Sequence, residues 1–207
     1  MKKLLLVYLS ALSCAAAATR LEKVRNERVI AYEETLGPAE TESSSEGLPN
    51  VVVFLTDGTV LATADDGKTA TLAVKRGQVI FRAARAGPLR DAGTAEMRFV
   101  WIGFRGRESA EVWGTKGYAP DYRTLVENGY VRAYDIQIPA GHTEPQHTHH
   151  DRVVVALSGA DLRHVLPDGH QEDSSLKTGE ILWRLGQTHV GMNIGKTDLW
   201  VIAVEPK

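Results

Sequence analysis

From residue 122 onward, short apolar runs alternate with turn-forming residues. Residues 131–138, 152–157, 161–166, 171–176, 180–183 and 199–204 are enriched in Val, Ile, Leu and aromatics, the composition that predicts β-strands. Pro167-Asp168-Gly169 separates two of them and predicts a hairpin turn. Beyond the first eighteen residues no stretch carries a long helical apolar period. Many short strands at this spacing imply an all-β sandwich or barrel.

The same pattern occurs twice. Shifted by 102 residues, the chain aligns with itself without a gap. Asn26, Val29, Ala31 and Tyr32 fall on Asn128, Val131, Ala133 and Tyr134. Val51, Val52, Val53 and Leu55 fall on Val153, Val154, Val155 and Leu157. Asp66-Gly67 falls on Asp168-Gly169, Gly77 on Gly179 and Arg82 on Arg184. The Asp-Gly pairs and Gly77/Gly179 therefore read as turn residues. Between the copies, 105–121 holds Gly106, Gly114, Gly117 and Pro120 and reads as a linker. The expected organisation is a first domain over 19–104, the linker 105–121 and a second domain over 122–207.

Residues 1–18 fall outside this pattern. Lys2 and Lys3 precede an apolar run from Leu4 to Leu12 and a small-residue run, Ala15 to Ala18. This is the layout of a secretory signal peptide, and the run is too short to span a bilayer. Cleavage near Ala18 is expected, giving a secreted or periplasmic protein with no membrane attachment. Cys14 is the only cysteine, so cleavage leaves no thiol for a disulfide. A lipoprotein acylated at Cys14 is the lesser alternative. With 43% hydrophobic and 24% charged residues, the composition is that of a globular protein. Net charge is -2 with mixed signs, so nothing points to nucleic acid or an anionic membrane.

All seven histidines lie between His142 and His189, and His142, His147, His149 and His150 form a cluster. Strand alternation places His147, His149 and Asp151 on one face, continued by Val153, Val155 and Leu157. Thr148, His150 and Arg152 alternate to the other face, exposed or packed outside. A polar triple running into an apolar face is expected at one end of a barrel interior. His189, on a neighbouring strand, is the candidate third imidazole. Imidazole suits Zn, Fe, Cu and Ni, and a divalent metal ion (Fe, Mn, Zn, Ni or Cu) is expected without a fixed identity. In the first copy the equivalent positions are Ser45, Gly47, Pro49 and Gly87, which cannot form such a site. Thr41-Glu42 matches Thr143-Glu144, so Glu144 reads as structural or solvated.

These residues resemble the motifs of the cupin superfamily. The first runs from Gly141 through His147-Thr148-His149 and Asp151 to Gly159; the second carries Gly179, Gly186, His189 and Asn193. Because both copies are covered, the chain resembles a bicupin whose first domain is degenerate. The resemblance implies two tandem jelly-roll (double-stranded β-helix) barrels, with a metal held by His147, His149 and His189. The usual glutamate after the second histidine is absent, its places being taken by Val153 and Val154. Either Asp151 is the fourth ligand or three neutral histidines leave open positions.

The implied activities are those of dioxygenases, isomerases, decarboxylases and lyases acting on a small molecule. Trp183, Arg184 and Gln187 flank the second motif and are placed to meet a small acidic substrate, although Arg82 at the equivalent place favours a structural Arg184. The alternatives are a non-catalytic module binding a small ligand or metal, and a purely structural cluster. A homodimer is left open, since two modules in one chain can satisfy the pairing common among cupins.

Overall fold

The computed structural model describes residues 18–43, 46–111, 113, 119 and 122–207. Apart from Ala18, the expected signal peptide lies outside them, as do Cys14 and Ser45. Every regular element among the described residues is a β-strand. The N-terminal half contains β1 (Thr19–Arg25), β2 (Val29–Leu36), β3 (Asn50–Phe54), β4 (Gly58–Thr63), β5 (Thr69–Val74), β6 (Val79–Arg82), β7 (Arg90–Asp91) and β8 (Met97–Phe104). The C-terminal half contains β9 (Arg123–Glu127), β10 (Val131–Ile138), β11 (His147–His149), β12 (Arg152–Ser158), β13 (Ala160–Val165), β14 (Gln171–Leu176), β15 (Ile181–Arg184), β16 (Gln187–Asn193) and β17 (Leu199–Pro206). The strands β2, β3, β4, β5, β6 and β8 each begin 102 positions before β10, β12, β13, β14, β15 and β17. Gly67, Gly77, Gly169 and Gly179 sit in turns at φ of 81° to 85°, which glycine enters without steric cost.

Each half folds into two antiparallel sheets. In the N-terminal half a five-stranded sheet, β1-β2-β8-β3-β6, faces a three-stranded one, β5-β4-β7. In the C-terminal half β15-β12-β17-β10-β9 faces the four-stranded sheet β11-β16-β13-β14. Alternation decides where each residue goes. On β3, Val52 and Phe54 pack with Val60 and Val74 inside the N-terminal half. Val51 and Val53 point the other way, into a cluster shared with Val153, Val155, Ile202 and Val204. The two five-stranded sheets thus stack on each other, and the molecule has four layers. Edge β1 packs on β15 and edge β6 on β9, so the two edge contacts exchange when the halves are exchanged. Arg28 crosses the junction, donating to the Pro206 carbonyl at 2.7 Å and reaching the Asp151 carboxylate at 3.4 Å.

The described part of the expected linker lies against the C-terminal half. Ser109 N–H donates to the Gly129 carbonyl, the Trp113 ring stacks on His150 with 3.9 Å between centroids, and Ala119 is buried.

The interior of the N-terminal half is filled by Leu89, Met97, Phe99 and Trp101, all at most 1% exposed. Glu34, Glu42 and Arg82 are buried beside them. Arg82 pairs with Glu42 at 2.6 Å. Glu34 accepts from the Ser43 N–H at 3.2 Å and lies 3.7 Å from Arg20. Burial first, and then the Glu42 charge, push the Glu34 carboxyl up to about 7. Between its unfolded value of 4.5 and about 7, the native state therefore holds a proton that the unfolded state has released. Stability falls with rising pH across that window, by about 3 kcal/mol for a shift of this size. Glu34→Gln should match the parent in urea unfolding at pH 4.5 and exceed it at pH 8.

Candidate metal centre

His147 and His149 project from β11 and His189 from β16, two strands paired with His147 opposite His189. All three are at most 4% exposed, and one ring nitrogen from each lies within 4.8 Å of the others. The Nε2 atoms of His147 and His149 are 3.0 Å apart. Each Nδ1 faces an acceptor. That of His147 is 2.8 Å from the Pro145 carbonyl, and that of His189 is 3.1 Å from Gln187 Oε1. That of His149 is 2.7 Å from Tyr134 Oη, whose own proton is donated to Glu205 Oε1 at 2.8 Å. These partners place a proton on every Nδ1 and leave every Nε2 as a lone pair.

Two lone pairs facing each other at 3.0 Å repel unless a cation or a proton lies between them. Burial lowers all three imidazole pKa values. For His149 the next cause is the Arg152 charge; His189 is brought down to about 3, with His164 the next cause. The rings are therefore neutral, the state in which imidazole binds metal. The residues present fit a divalent ion.

Behind His149 stands a buried chain. Arg132 donates to Glu205 Oε2 through Nε at 3.1 Å and Nη2 at 2.8 Å, and Glu205 Oε1 accepts from Tyr134 and from the His150 N–H at 3.0 Å. In front, Tyr122 Oη lies 3.1 Å from His147 Nε2, and the Tyr122 ring stacks on Tyr134. Tyr122 also hydrogen-bonds Glu144, and burial holds both tyrosines in the protonated form.

Several expected placements are corrected. Asp151 does not join the histidines. Its carboxylate accepts from the Gly186 N–H at 2.7 Å and faces Arg28. It ties the end of β11 to the turn before β16, so it holds the two ligand-bearing segments together instead of ligating. Arg152 is not outside: it is 8% exposed and lines the pocket beside His149. Between 149 and 152 the chain leaves the four-stranded sheet for the five-stranded one. That change of sheet breaks the alternation, so Arg152 and Val154 follow the histidines inward while Val153, Val155 and Leu157 face the other half. Glu144 is buried in the pocket and not solvated. Trp183 packs in the cluster between the halves, Gln187 holds His189, and Arg184 reaches the pocket.

A pocket of about 70 Å³ opens onto the centre. One end carries Tyr122, Glu144, Arg152, Arg184 and His164, whose ring is 4.4 Å from that of His189. The other end is apolar, with Ile136, Leu162, Leu176 and Val201. Comparison at the 102-residue offset explains why this half is hollow. Phe54, Leu89, Phe99 and Trp101 correspond to Ala156, Gly191, Val201 and Ala203. A Cβ at Gly191 would sit 2.6 Å from Glu144 Oε2, so any larger residue there would displace that carboxylate. The same comparison exposes residues that motif reading missed: Arg132 replaces Ile30, Glu205 replaces Gly103 and His164 replaces Ala62.

AerE from Microcystis aeruginosa superposes with a TM-score of 0.67 at 12% identity, over 96% of this chain and 95% of AerE. A cupin 2 conserved barrel domain protein from Leptotrichia buccalis gives 0.59 at 11% identity, over 94% and 91%. Bacillus subtilis oxalate decarboxylase, an enzyme with Mn(II) centres, gives 0.60 at 10% identity, over 93% and 78%. The chain has the cupin fold. No family model and no curated protein matches it in sequence. Among cupin folds, those with Mn(II) show that the architecture can carry a metal, consistent with the three imidazoles here.

Removing the Tyr134 hydroxyl tests the tautomer argument. Tyr134→Phe leaves the His149 Nδ1–H without its acceptor, and metal affinity should fall about 10- to 100-fold, as for other outer partners of metal-bound histidines. Competition with a chromogenic chelator measures it.

Proposed function

We propose that this chain is an exported bicupin whose C-terminal module binds a divalent metal through His147, His149 and His189 and transforms a small molecule, as a dioxygenase or isomerase. The observation that carries this reading is the convergence of three buried imidazoles, one ring nitrogen from each within 4.8 Å of the others and an acceptor facing every Nδ1, at the polar end of an apolar pocket. A bound ion would supply Lewis acidity, with positions left free for a substrate or dioxygen. The chain's own residues would do the rest. Tyr122 places a hydroxyl 3.1 Å from His147 Nε2, within reach of a substrate atom at the centre, and can donate or retrieve a proton there. The apolar end excludes water and holds the body of the substrate.

Two tests address the centre. Protein purified without a histidine tag should contain about one equivalent of metal, and His147→Ala should lose the metal and the activity together. Retained metal in that variant would remove the ligand assignment. Oxygen uptake with thiols, diketones and phenols separates turnover from simple binding.

Export is proposed from the sequence layout of residues 1–18. Mass spectrometry of protein recovered from an exporting host should show a mature chain starting near Thr19. A chain retaining Met1, or one acylated at Cys14, would replace that reading.

A further inference from the structure

The described structure contains three well-buried arginines, and two are neutralised internally. Arg82 pairs with Glu42 at 2.6 Å, and Arg132 pairs with Glu205 at 2.8 Å. Arg152 is the exception. It is 8% exposed and lines the pocket next to His149, and among the described residues no carboxylate lies within ion-pair distance. Among the described residues its hydrogen bonds all leave from one nitrogen: Nη1 donates to the His150 carbonyl at 3.3 Å and the Leu185 carbonyl at 3.2 Å. Nε and Nη2, the donors of a second guanidinium edge, have no acceptor among the described residues.

A buried cation left unpaired is costly, and the fold does not need one here. At the equivalent place of the N-terminal half stands Asn50, which is neutral and fully buried. The guanidinium is held in place by two carbonyls without a direct ion pair among the described residues; Glu205 acts on it from further away, and Glu144 lines the same pocket. A second cation, Arg184, lines the same cavity.

We infer that Arg152 is the anchor for the carboxylate of the small molecule this pocket takes. A carboxylate matches the planar guanidinium edge with two parallel hydrogen bonds. The far end of the pocket is lined by Ile136, Leu162, Leu176 and Val201, so the rest of the ligand is apolar. The ligand class is a small monocarboxylic acid with a branched or aromatic body, its acid group at Arg152 and its body away from the charged end. This inference names a substrate class for the proposed centre, but acid recognition itself does not require the metal.

The test measures both separately. Acetate, 4-methylpentanoate, benzoate and 3-phenylpropionate are each titrated against the full-length protein beside their neutral amides. Calorimetry and thermal shift provide the readouts, with metal content determined on the same samples. The larger acids should bind and raise Tm, and their amides should bind at least tenfold more weakly. Arg152→Met should abolish the preference for acid over amide, while Arg152→Lys should retain part of it. Without ligand, Arg152→Met should unfold at the same or higher temperature than the parent, since it removes an unpaired buried charge. An arginine kept only for structure would give a lower Tm. Equal binding of acids and amides, no binding of any acid, or undiminished acid preference in Arg152→Met overturns the inference. Loss of metal with acid preference intact would instead sink the metal reading and leave this one standing.

Discussion

Each five-stranded sheet has two apolar faces, and everything else in the molecule follows from burying both. A sheet covered on one side reads as apolar-in, polar-out. Here β3 carries Val51, Val52 and Val53 in succession, and β12 carries Val153, Val154 and Val155, all at most 7% exposed. One face of each sheet is covered by its own smaller sheet and the other by the opposite half. The halves therefore share a core instead of touching at a surface. The N-terminal half, which has no histidine, still covers the outer face of the sheet behind the metal centre. Through Arg28 it also reaches Asp151, the residue that ties the two ligand-bearing segments together.

That two-sided burial also explains where alternation succeeded and where it failed. The strands were legible because Val, Ile and Leu runs between Asp-Gly and Gly turns have few other solutions. The predicted 131–138 and 171–176 coincide with β10 and β14. His147, His149 and His189 were legible because two histidines two apart share a face, and a third followed on a neighbouring strand. Asp151 and Arg152 were misplaced for one reason: alternation was carried through 150–151 as though the strand were continuous. It is not, because the chain changes sheets there, and no residue between His149 and Val153 announces the change. When both sheets are apolar on their inner faces, the sequence pattern looks the same before and after such a crossing.

What separates the two halves is volume. The fold places Phe54, Phe99 and Trp101 inside one and Ala156, Val201 and Ala203 inside the other. The first arrangement gives a packed core, the second a hollow of about 70 Å³. An apolar hollow is destabilising compared with a filled core, because its lining loses contacts. The filled half shows that this architecture can be filled, so the hollow is no requirement of the fold. This contrast was present in the sequence, but it becomes visible only when the aligned copies are compared by side-chain size as well as by histidine content.

The same comparison settles how the charges behind the site should be understood. Arg132 and Glu205 stand where the other half has Ile30 and Gly103, and both are at most 2% exposed. Burying such a pair gains little for stability, since desolvation offsets most of the attraction and apolar residues of like size often do as well. The N-terminal half does without it. In the C-terminal half the pair ends at Tyr134, and the direction of its hydrogen bonds leaves Tyr134 Oη able only to accept from His149 Nδ1. The charge pair therefore acts at a distance on one proton, keeping it on Nδ1 and leaving Nε2 bare at the centre. A metal ligand needs that tautomer, whereas a histidine that merely fills space does not. The cost of the buried pair is thus explained by the imidazole it orients and not by the fold it sits in.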